Sequence, residues 1–198
     1  MSDKLEWQQY YQQVIKRPPR PFIKRAVALN ESPLKRAFDL GCGTGSEAFY
    51  LAEHGYQVIA CDSEPDALDI CRHRALEENV TIDFQPSAIE DLEWQSCDLV
   101  VASNSLYFLS QSALLSSWEN IVSSLVPGGV FCGDFLGPKD DWQSFDMTTS
   151  QVDYKLLDQF LKSFDICLWR ETDELGQTAS GREKHWHVFT VIAKKKPS

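Results

Sequence analysis

The sequence predicts a three-layer α/β/α fold: a mostly parallel, doubly wound sheet with helices on both faces and an antiparallel hairpin at its C-terminal end. From about residue 37 onward, short apolar runs alternate with amphipathic stretches, which is typical of right-handed strand–helix–strand crossovers. After residue 163 the alternation stops, because two apolar runs follow each other with no helix between them. The chain has 198 residues, which suits one domain with a core that needs no disulfides.

Five short apolar runs are predicted to form the buried parallel strands. They are RAFDL (36–40), QVIACD (57–62), VTIDFQ (80–85), CDLVVAS (97–103) and GGVFCGDF (128–135). The stretches between them have the apolar spacing of helices, which are expected at 46–54, at 65–76, from Leu114 to Leu125 and near 150–163. The sequence PGG at 127–129 is expected to stop the third of these helices.

The last two apolar runs are FDICLWRE (164–171) and HWHVFTVIAKK (185–195), joined by a loop that contains glycine. Two strands joined in this way pair antiparallel. Both alternating sets of side chains in the final run are apolar. We therefore predict that the final strand is inserted in the sheet, not placed at its edge.

The first 36 residues precede the sheet. EWQQYYQQVIK has the spacing of an amphipathic helix, RPPRP (17–21) is a rigid turn, and FIKRAVALN reads as a second helix. We predict a helical lid over the ligand cleft in residues 1–36, with simple packing against the sheet as the alternative. Residues 37–198 then form the main domain.

Composition limits the partners and the location. The formal net charge is −10 at pH 7, which disfavours a nucleic-acid partner, and Lys194–Lys196 is interpreted as a solvated tail. The six cysteines include no CxxC pair and mostly lie in apolar runs, so we expect reduced, buried thiols in a cytoplasmic protein. We expect no signal peptide in MSDKLEWQQYYQQ and no membrane-spanning run. No pattern specifies an oligomeric state.

The stretch Asp39-Leu40-Gly41-Cys42-Gly43-Thr44-Gly45 directly follows the first predicted strand. Glycines let a ligand touch the main chain, and ligands of open α/β sheets bind beyond the C-terminal strand ends. A Walker phosphate loop is excluded, because no lysine occurs between Lys35 and Lys139. The spacing is G-x-G-x-G, whereas dinucleotide-binding proteins have G-x-G-x-x-G.

Asp62 ends the second predicted strand. A carboxylate at this position can accept hydrogen bonds from both hydroxyls of a ribose, in nicotinamide and adenosyl cofactors alike. The alternative is a cap on the helix that begins at Pro65. Asp62 therefore indicates a ligand that contains ribose but does not distinguish a nicotinamide cofactor from an adenosyl cofactor.

Five motifs occur in order: AFDLGCGTG, VIACD, IEDL, DLVVASNSL and LVPGGVF. In this order and spacing they resemble the successive motifs of class I S-adenosylmethionine-dependent methyltransferases, over residues 36 to 136. The C-terminal hairpin fits the seven-stranded, Rossmann-like sheet of that family. The short chain with an aromatic N-terminal helix most resembles the small-molecule, tellurite-resistance-like branch.

The resemblance implies S-adenosylmethionine as cofactor and assigns residues to it. The main chain of the glycine loop would contact its methionine part, through Gly41, Cys42, Gly43 and Gly45. Asp39 would accept from the ammonium group, directly or through water.

The same resemblance places the nucleoside along the next two strand ends. Asp62 would hold the ribose and Ser63 would flank the adenine. The Ile89 main-chain N–H would donate to the adenine edge. Ala88 stands where the family usually has an acid, so that either Glu90 substitutes or the contact is lost.

Ser103 and Asn104 end the fourth strand, where a carbonyl or amide would approach the cofactor's ammonium. The sequence SNSL there lacks the N-P-P-[YF] pattern of enzymes that methylate amino groups of bases or glutamine. We therefore expect methyl transfer to a small-molecule acceptor by in-line displacement. This reaction depends mainly on alignment and exclusion of water, so a catalytic dyad is not required.

Several side chains are candidates for the acceptor side, each with a structural alternative: Tyr107, Asp134, the loop GPKDDW (137–142), His185, Arg17 and Arg20. Arg17 and Arg20 would clamp the cofactor's carboxylate if the N-terminal segment closes. His185 and His187 share one face of a strand, but no third ligand accompanies them, so no metal is predicted. A non-catalytic protein that senses S-adenosylmethionine and an NAD(P)-dependent oxidoreductase are the alternative functions.

Overall fold

The computed structural model describes residues 11, 14–15, 17–145, 148–178 and 181–197. These residues contain one seven-stranded sheet in the order β3-β2-β1-β4-β5-β7-β6. The strands are β1 (Arg36–Leu40), β2 (Gln57–Asp62), β3 (Asp83–Pro86), β4 (Cys97–Ala102), β5 (Leu125–Leu136), β6 (Phe164–Gln177) and β7 (Glu183–Lys195). Strands β1 to β5 are parallel, and β7 runs antiparallel to both β5 and β6. The predicted fold class is confirmed.

Helices cover both faces of this sheet. They are α1 (Pro21–Leu29), α2 (Ser46–Glu53), α3 (Pro65–Glu78), α4 (Gln111–Ser124) and α5 (Tyr154–Phe160), with short 3₁₀ turns at Ile89–Asp91, Leu106–Phe108, Asp141–Phe145 and Leu161–Ser163. Apolar residues of α1, α2 and α3 pack in one core cluster, and those of α4 and α5 pack in another. The sheet lies between the two clusters, which gives the three layers.

The inserted final strand is also confirmed. β7 lies between β5 and β6, with Cys132 opposite Ile192 and Trp169 opposite Val191. Its central residues Phe189, Val191 and Ile192 are fully buried. A strand covered by helices on both faces needs apolar side chains in both alternating sets, and β7 has them.

Some predicted boundaries were wrong. β3 begins at Asp83, so the first residues of VTIDFQ lie outside it. PGG does not stop α4, which ends at Ser124; it lies inside β5, which begins at Leu125. The pairing of β4 with β5 shifts register there, and Gly128 has a φ of +78° that favours glycine.

The interpretation of Lys194–Lys196 as a solvated tail was also wrong. Lys194 and Lys195 belong to β7, and the Lys194 ammonium pairs with Glu31 at 2.6 Å. The Lys195 ammonium donates to two main-chain oxygens at the end of α4. The carbonyls of a helix C-terminus attract cations, which explains why this basic residue is held there.

The N-terminal segment is partly described. Residues 1–10, 12–13 and 16, and with them most of the predicted first helix, lie outside the described residues. The second predicted helix is α1, whose Ile23 and Ala26 are fully buried against the sheet. Tyr11 is only 4% exposed.

No helix among the described residues is long and apolar enough to cross a lipid bilayer. All six cysteines are unpaired, and every one except the half-buried Cys167 is buried.

Candidate functional site

The residues predicted to bind a cofactor all lie at the C-terminal edge of the parallel strands. The glycine loop follows β1, Asp62 and Ser63 stand at the end of β2, Ala88 and Ile89 follow β3, and Ser103 and Asn104 follow β4. The strand order reverses between β1 and β4, which are hydrogen-bonded neighbours. The crevice at such a reversal is where open α/β sheets bind ligands.

The three glycines of the loop have different surroundings. All have positive φ: +68° at Gly41, +52° at Gly43 and +80° at Gly45. A Cβ on Gly41 would lie 2.5 Å from the Ser105 Cβ, and one on Gly45 would lie 3.0 Å from the Phe49 ring. Among the described residues, a Cβ on Gly43 would meet only the Tyr11 ring, at 3.9 Å. Gly41 and Gly45 are therefore needed for packing, and Gly43 is the glycine that leaves space for a ligand.

Asp39 is a buried carboxylate with an unused oxygen. It is 2% exposed, and its Oδ2 has no hydrogen-bond partner among the described residues. Burial, followed by the charge of Glu47, raises the pKa of Asp39 well above its ordinary value, and a hydrogen bond from the Ala48 main chain opposes this. The Ser103 hydroxyl is likewise buried and unpartnered. A buried polar atom without a partner is costly, so both groups are available to hydrogen-bond a ligand or water.

Asp62 connects the ends of β1 and β2. Its Oδ2 accepts from the Gly43 N–H at 2.8 Å and its Oδ1 accepts from the Glu64 N–H at 3.0 Å. Burial raises the pKa of Asp62, while hydrogen bonds from the main chain lower it. Each carboxylate oxygen can accept a second hydrogen bond, so the side chain retains acceptor capacity for ribose hydroxyls. Asp62 thus holds the glycine loop to the end of β2.

The predicted adenine-binding residues lie on the next strand ends. Ser63 is exposed, Ala88 is half-buried and Ile89 is 7% exposed. The Ala88 carbonyl accepts from the Ser87 hydroxyl at 2.9 Å, and Ile89 begins a 3₁₀ turn in which Glu90 is exposed.

Cys42 lies within the glycine loop and is 6% exposed. Its main-chain N–H donates to the Cys61 carbonyl at 2.9 Å, which ties the loop to β2. The Cys71 thiol donates to the Gly43 carbonyl at 3.3 Å. A hydrogen bond with Cys71, and then burial, raise the pKa of the Cys42 thiol, so it stays protonated and unreactive at neutral pH.

A second buried carboxylate lies at the end of β5. Asp134 is 3% exposed and accepts from the Thr190 hydroxyl at 2.7 Å and from the Asn104 N–H at 3.3 Å. Burial is the main cause that raises its pKa. Asn104 itself has a φ of +55°, in the left-handed region. Tyr107, the aromatic candidate after β4, is 4% exposed and packs on Phe108.

The N-terminal segment contacts the glycine loop and α2. The Thr44 hydroxyl donates to the Val14 carbonyl at 3.4 Å, and Arg17 forms an ion pair with Glu47 at 3.1 Å. Sequence reasoning missed Glu47; the only signal was an acid in the first turn of α2. In the structure the Arg17 Nη2 is therefore engaged by the protein, and the Nε atoms of Arg17 and Arg20 are both buried without a partner among the described residues.

The loop after β5 is fastened by a buried ion pair that sequence reasoning also missed. Lys184 and Asp140 have fully buried side chains and pair directly, and the Lys184 ammonium lies 3.7 Å from the centre of the Trp186 ring. Asp140 also accepts from the main-chain N–H groups of Trp142 and His187. Two charges from elements far apart in sequence thus hold this loop against β7.

The two histidines meet carboxylates from β6. His185 Nε2 lies 2.6 Å from Asp173, and His187 Nε2 lies 2.9 Å from Glu171, so the structure supplies carboxylates that the sequence alone did not indicate. The His187 Nδ1 accepts from the Lys139 main-chain N–H at 3.2 Å. Because Nδ1 is the acceptor in that hydrogen bond, a neutral ring carries its proton on Nε2 and donates it to Glu171. The statement that no third ligand accompanies the histidines was wrong, since Glu171, Asp173 and His187 each offer one ligand atom within 4.8 Å of one another.

Comparison with known proteins agrees with this geometry. Residues 37–129 match a protein-family model described as a methyltransferase domain. Cypemycin N-terminal methyltransferase from Streptomyces sp is 32% identical over 109 residues, covering 54% of this chain and 44% of the relative. Ubiquinone biosynthesis O-methyltransferase from Xanthomonas campestris is 27% identical over 164 residues, covering 78% of this chain and 66% of the relative. The chain thus spans about half to two thirds of these relatives.

Solved structures share the fold. TehB from Haemophilus influenzae aligns with a TM-score of 0.75 at 20% identity, over 90% of this chain and 63% of that one. The N-methyltransferase NodS from Bradyrhizobium japonicum, solved with S-adenosyl-L-homocysteine, aligns with a TM-score of 0.68 at 16% identity, over 96% and 98%. The domain match over residues 37–129, the strand order and the glycine loop together support a class I S-adenosylmethionine-dependent methyltransferase.

Proposed function

We propose that this protein transfers a methyl group from S-adenosylmethionine to a small-molecule acceptor. The observation that carries the proposal is the open main chain at Gly43 beside the unpartnered carboxylate oxygen of Asp39. Bare main chain admits the amino-acid end of a ligand, and the carboxylate suits an ammonium group. When bound, the cofactor supplies an electrophilic methyl group on a sulfonium.

The residues at the strand ends fit the cofactor in the order of its parts. Asp39 and the loop would take the methionine end, and Asp62 would take the ribose. The Ile89 main chain, with Ala88 and Ser63 beside it, would take the adenine. Ser103 and Asn104 would complete the methionine side, since the Ser103 hydroxyl is buried and has no partner in the part of the chain that the structure describes.

The N-terminal segment supports the lid hypothesis. It brings Tyr11 over Gly43 and holds Arg17 against Glu47, next to the loop that would bind the cofactor. A cover in this place excludes water from the reacting groups. The Arg17 ion pair argues against a direct role for Arg17 in clamping the cofactor's carboxylate, and leaves Arg20 as the candidate.

A small acceptor is supported by charge and by the relatives. The net charge of −10 repels polyanions, and one relative is named a ubiquinone biosynthesis O-methyltransferase. On the acceptor side, Asp134 accepts hydrogen bonds from Asn104 and Thr190 and would align groups at the end of β4. Alignment in a closed site can lower a barrier by about 7–11 kcal/mol without a catalytic dyad.

The unpaired thiols support a cytoplasmic location. All six cysteines are free, and disulfides are rare where thiols are kept reduced.

Two measurements test the proposed function. Titration calorimetry with S-adenosylmethionine should show one site per chain, weakened by Asp62→Ala and left unchanged by Asp69→Asn, a matched control on exposed α3 surface. Incubation of a metabolite extract with donor labelled in the methyl group should then yield a labelled small molecule by mass spectrometry. Absence of binding would refute the site, and binding without any labelled product would refute the transferase in favour of a sensor protein.

A further inference from the structure

Four aromatic side chains from three separate segments form a cluster beyond the ends of β4 and β5. The centre of the Trp142 ring lies 6.2 Å from that of Phe108, 6.3 Å from that of Phe145 and 6.0 Å from that of Trp186. The rings meet edge to face, at interplanar angles of 64° to 84°. All four residues are half-buried, so each retains some exposed surface. We call these four residues the aromatic wall.

The aromatic wall lies beside residues that the proposed function assigns to the cofactor. Phe108 and Asn104 belong to the same segment after β4. The Ser150 main-chain N–H donates to the Tyr107 carbonyl at 2.9 Å, which ties the loop after β5 to that segment. A molecule packed on the wall would therefore lie near the methionine side of the cofactor, where the methyl group is transferred.

Two polar atoms in the loop after β5 are buried without a hydrogen-bond partner among the described residues. They are the Trp142 Nε1 and the Thr149 hydroxyl oxygen. The Gln143 side chain donates to the Thr149 carbonyl at 3.4 Å, which links Thr149 to the turn that contains Trp142. An indole N–H can only donate, so an oxygen on a bound molecule would satisfy Trp142.

Cations already occupy positions against the rings of the wall. The Lys184 ammonium lies 3.7 Å from the centre of the Trp186 ring and 4.8 Å from that of Trp142, and the Arg182 guanidinium carbon lies 3.9 Å from the centre of the Phe145 ring. Asp140 compensates the charge of Lys184, whereas Arg182 is exposed. A cationic molecule would be repelled by Arg182 and would find these ring faces in use, so the wall disfavours a positive charge.

We propose that the aromatic wall binds the methyl acceptor, and that this acceptor is a flat aromatic molecule with an oxygen substituent and no positive charge. This inference rests on the proposed function. A flat aromatic body gains ring contacts that a saturated body of the same size lacks. The oxygen that accepts from the Trp142 N–H fixes how that body lies on the wall.

Titration calorimetry at neutral pH, with S-adenosylhomocysteine present at saturation, tests this with three probes. They are 2-naphthol, its saturated counterpart decahydro-2-naphthol, and the cation (2-naphthylmethyl)ammonium. 2-Naphthol should bind about fivefold more tightly than the saturated alcohol, because the alcohol keeps the oxygen but loses the ring contacts. It should bind about tenfold more tightly than the cation, which lacks the oxygen and carries the disfavoured charge.

Two variants and a matched control locate the binding on the wall. Trp142→Phe keeps a ring and removes the N–H, and Phe108→Leu removes a ring; each should raise the Kd for 2-naphthol about fivefold. Trp94→Phe makes the same exchange at another tryptophan whose Nε1 is buried without a partner among the described residues. Trp94 precedes β4 and packs on Phe38, so this control should bind 2-naphthol as the wild type does.

The outcomes separate this inference from the proposed function. Equal affinity for the three probes, or a Trp142→Phe variant that binds 2-naphthol like the wild type, would overturn the inference. A variant that weakens 2-naphthol and S-adenosylmethionine to the same extent would indicate a structural role and overturn it too. If the variants fail to fold, the order of the three probes on the wild type decides. A wild type that binds S-adenosylmethionine but not 2-naphthol would refute this inference alone, whereas one that does not bind the cofactor would refute the proposed function.

Discussion

Alanine substitutions at Gly41 and at Gly43 distinguish a glycine needed for packing from a glycine needed for ligand binding. Gly41 and Gly43 both have positive φ, +68° and +52°, and an alanine in that region costs about 1 kcal/mol at each. At Gly41 the new Cβ would also lie 2.5 Å from the Ser105 Cβ, against about 3.5–4.0 Å for an unstrained carbon–carbon contact. Relief of that overlap requires main-chain movement, which costs about 1–3 kcal/mol more.

We therefore expect Gly41→Ala to lower the free energy of unfolding by about 2–4 kcal/mol and Gly43→Ala by about 1 kcal/mol. For a chain of this size 1 kcal/mol corresponds to about 2–4 °C in Tm, so the difference of about 1–3 kcal/mol between the two variants should appear as about 2–12 °C. Urea and thermal unfolding, followed by circular dichroism, measure both quantities. Gly43→Ala should nevertheless raise the Kd for S-adenosylmethionine by at least about tenfold, because its methyl group enters the open space.

Equal destabilisation by the two substitutions would refute this reasoning, because it would mean that the Ser105 contact does not distinguish the glycines. Unchanged cofactor affinity in Gly43→Ala would refute the assignment of the open space to a ligand.

Three other predictions follow from single contacts. Asp62→Asn should raise the Kd for S-adenosylmethionine by about tenfold, since it loses a charged acceptor for two main-chain N–H groups; calorimetry beside Asp69→Asn measures this, and an equal effect in both variants would contradict it. Lys184→Met should lower the free energy of unfolding by about 3–5 kcal/mol because the Asp140 carboxylate is left buried without its cation. The double variant Lys184→Met with Asp140→Asn should regain part of this loss, and urea unfolding of the single and double variants measures both effects. Simple additivity of the two substitutions would contradict a stabilising interaction between Lys184 and Asp140. The pKa of Asp39 is raised in the folded state, so above about pH 4 the native state binds more protons than the unfolded state, and the stability that this carboxyl contributes declines as pH rises toward the folded pKa. Asp39→Asn should therefore be more stabilising at pH 8 than at pH 5. Equal differences in urea midpoint at the two pH values would contradict the raised pKa.

Much of the fold could be predicted from local patterns. The first two strands were predicted with the bounds that the structure shows, since each is a continuous apolar run that begins and ends at polar or turn residues. The insertion of β7 was predictable because both of its faces are apolar. The PGG sequence misled the prediction, because a proline and two glycines that normally end an element are accommodated here by a register shift between β4 and β5.

Part of the candidate site could also be predicted from the sequence, and part of it could not. The glycine loop, Asp62 and the residues after β3 and β4 were predicted as cofactor contacts from motifs, and those roles stay predictions that calorimetry can test. The sequence could not show that only Gly43 leaves open space, because the obstruction at Gly41 comes from Ser105, which follows another strand.

By itself, then, the sequence determined the class of the fold, since this depends on patterns within single segments, and the order of its five motifs indicated the cofactor through resemblance to a known family. Only the tertiary structure decided which charges meet. Glu47 pairs with Arg17 across 30 positions and Lys184 with Asp140 across 44. The physical reason is that the energy of a buried charge depends on its distance from other charges and from water, and those distances are set when the strands take their order in the sheet.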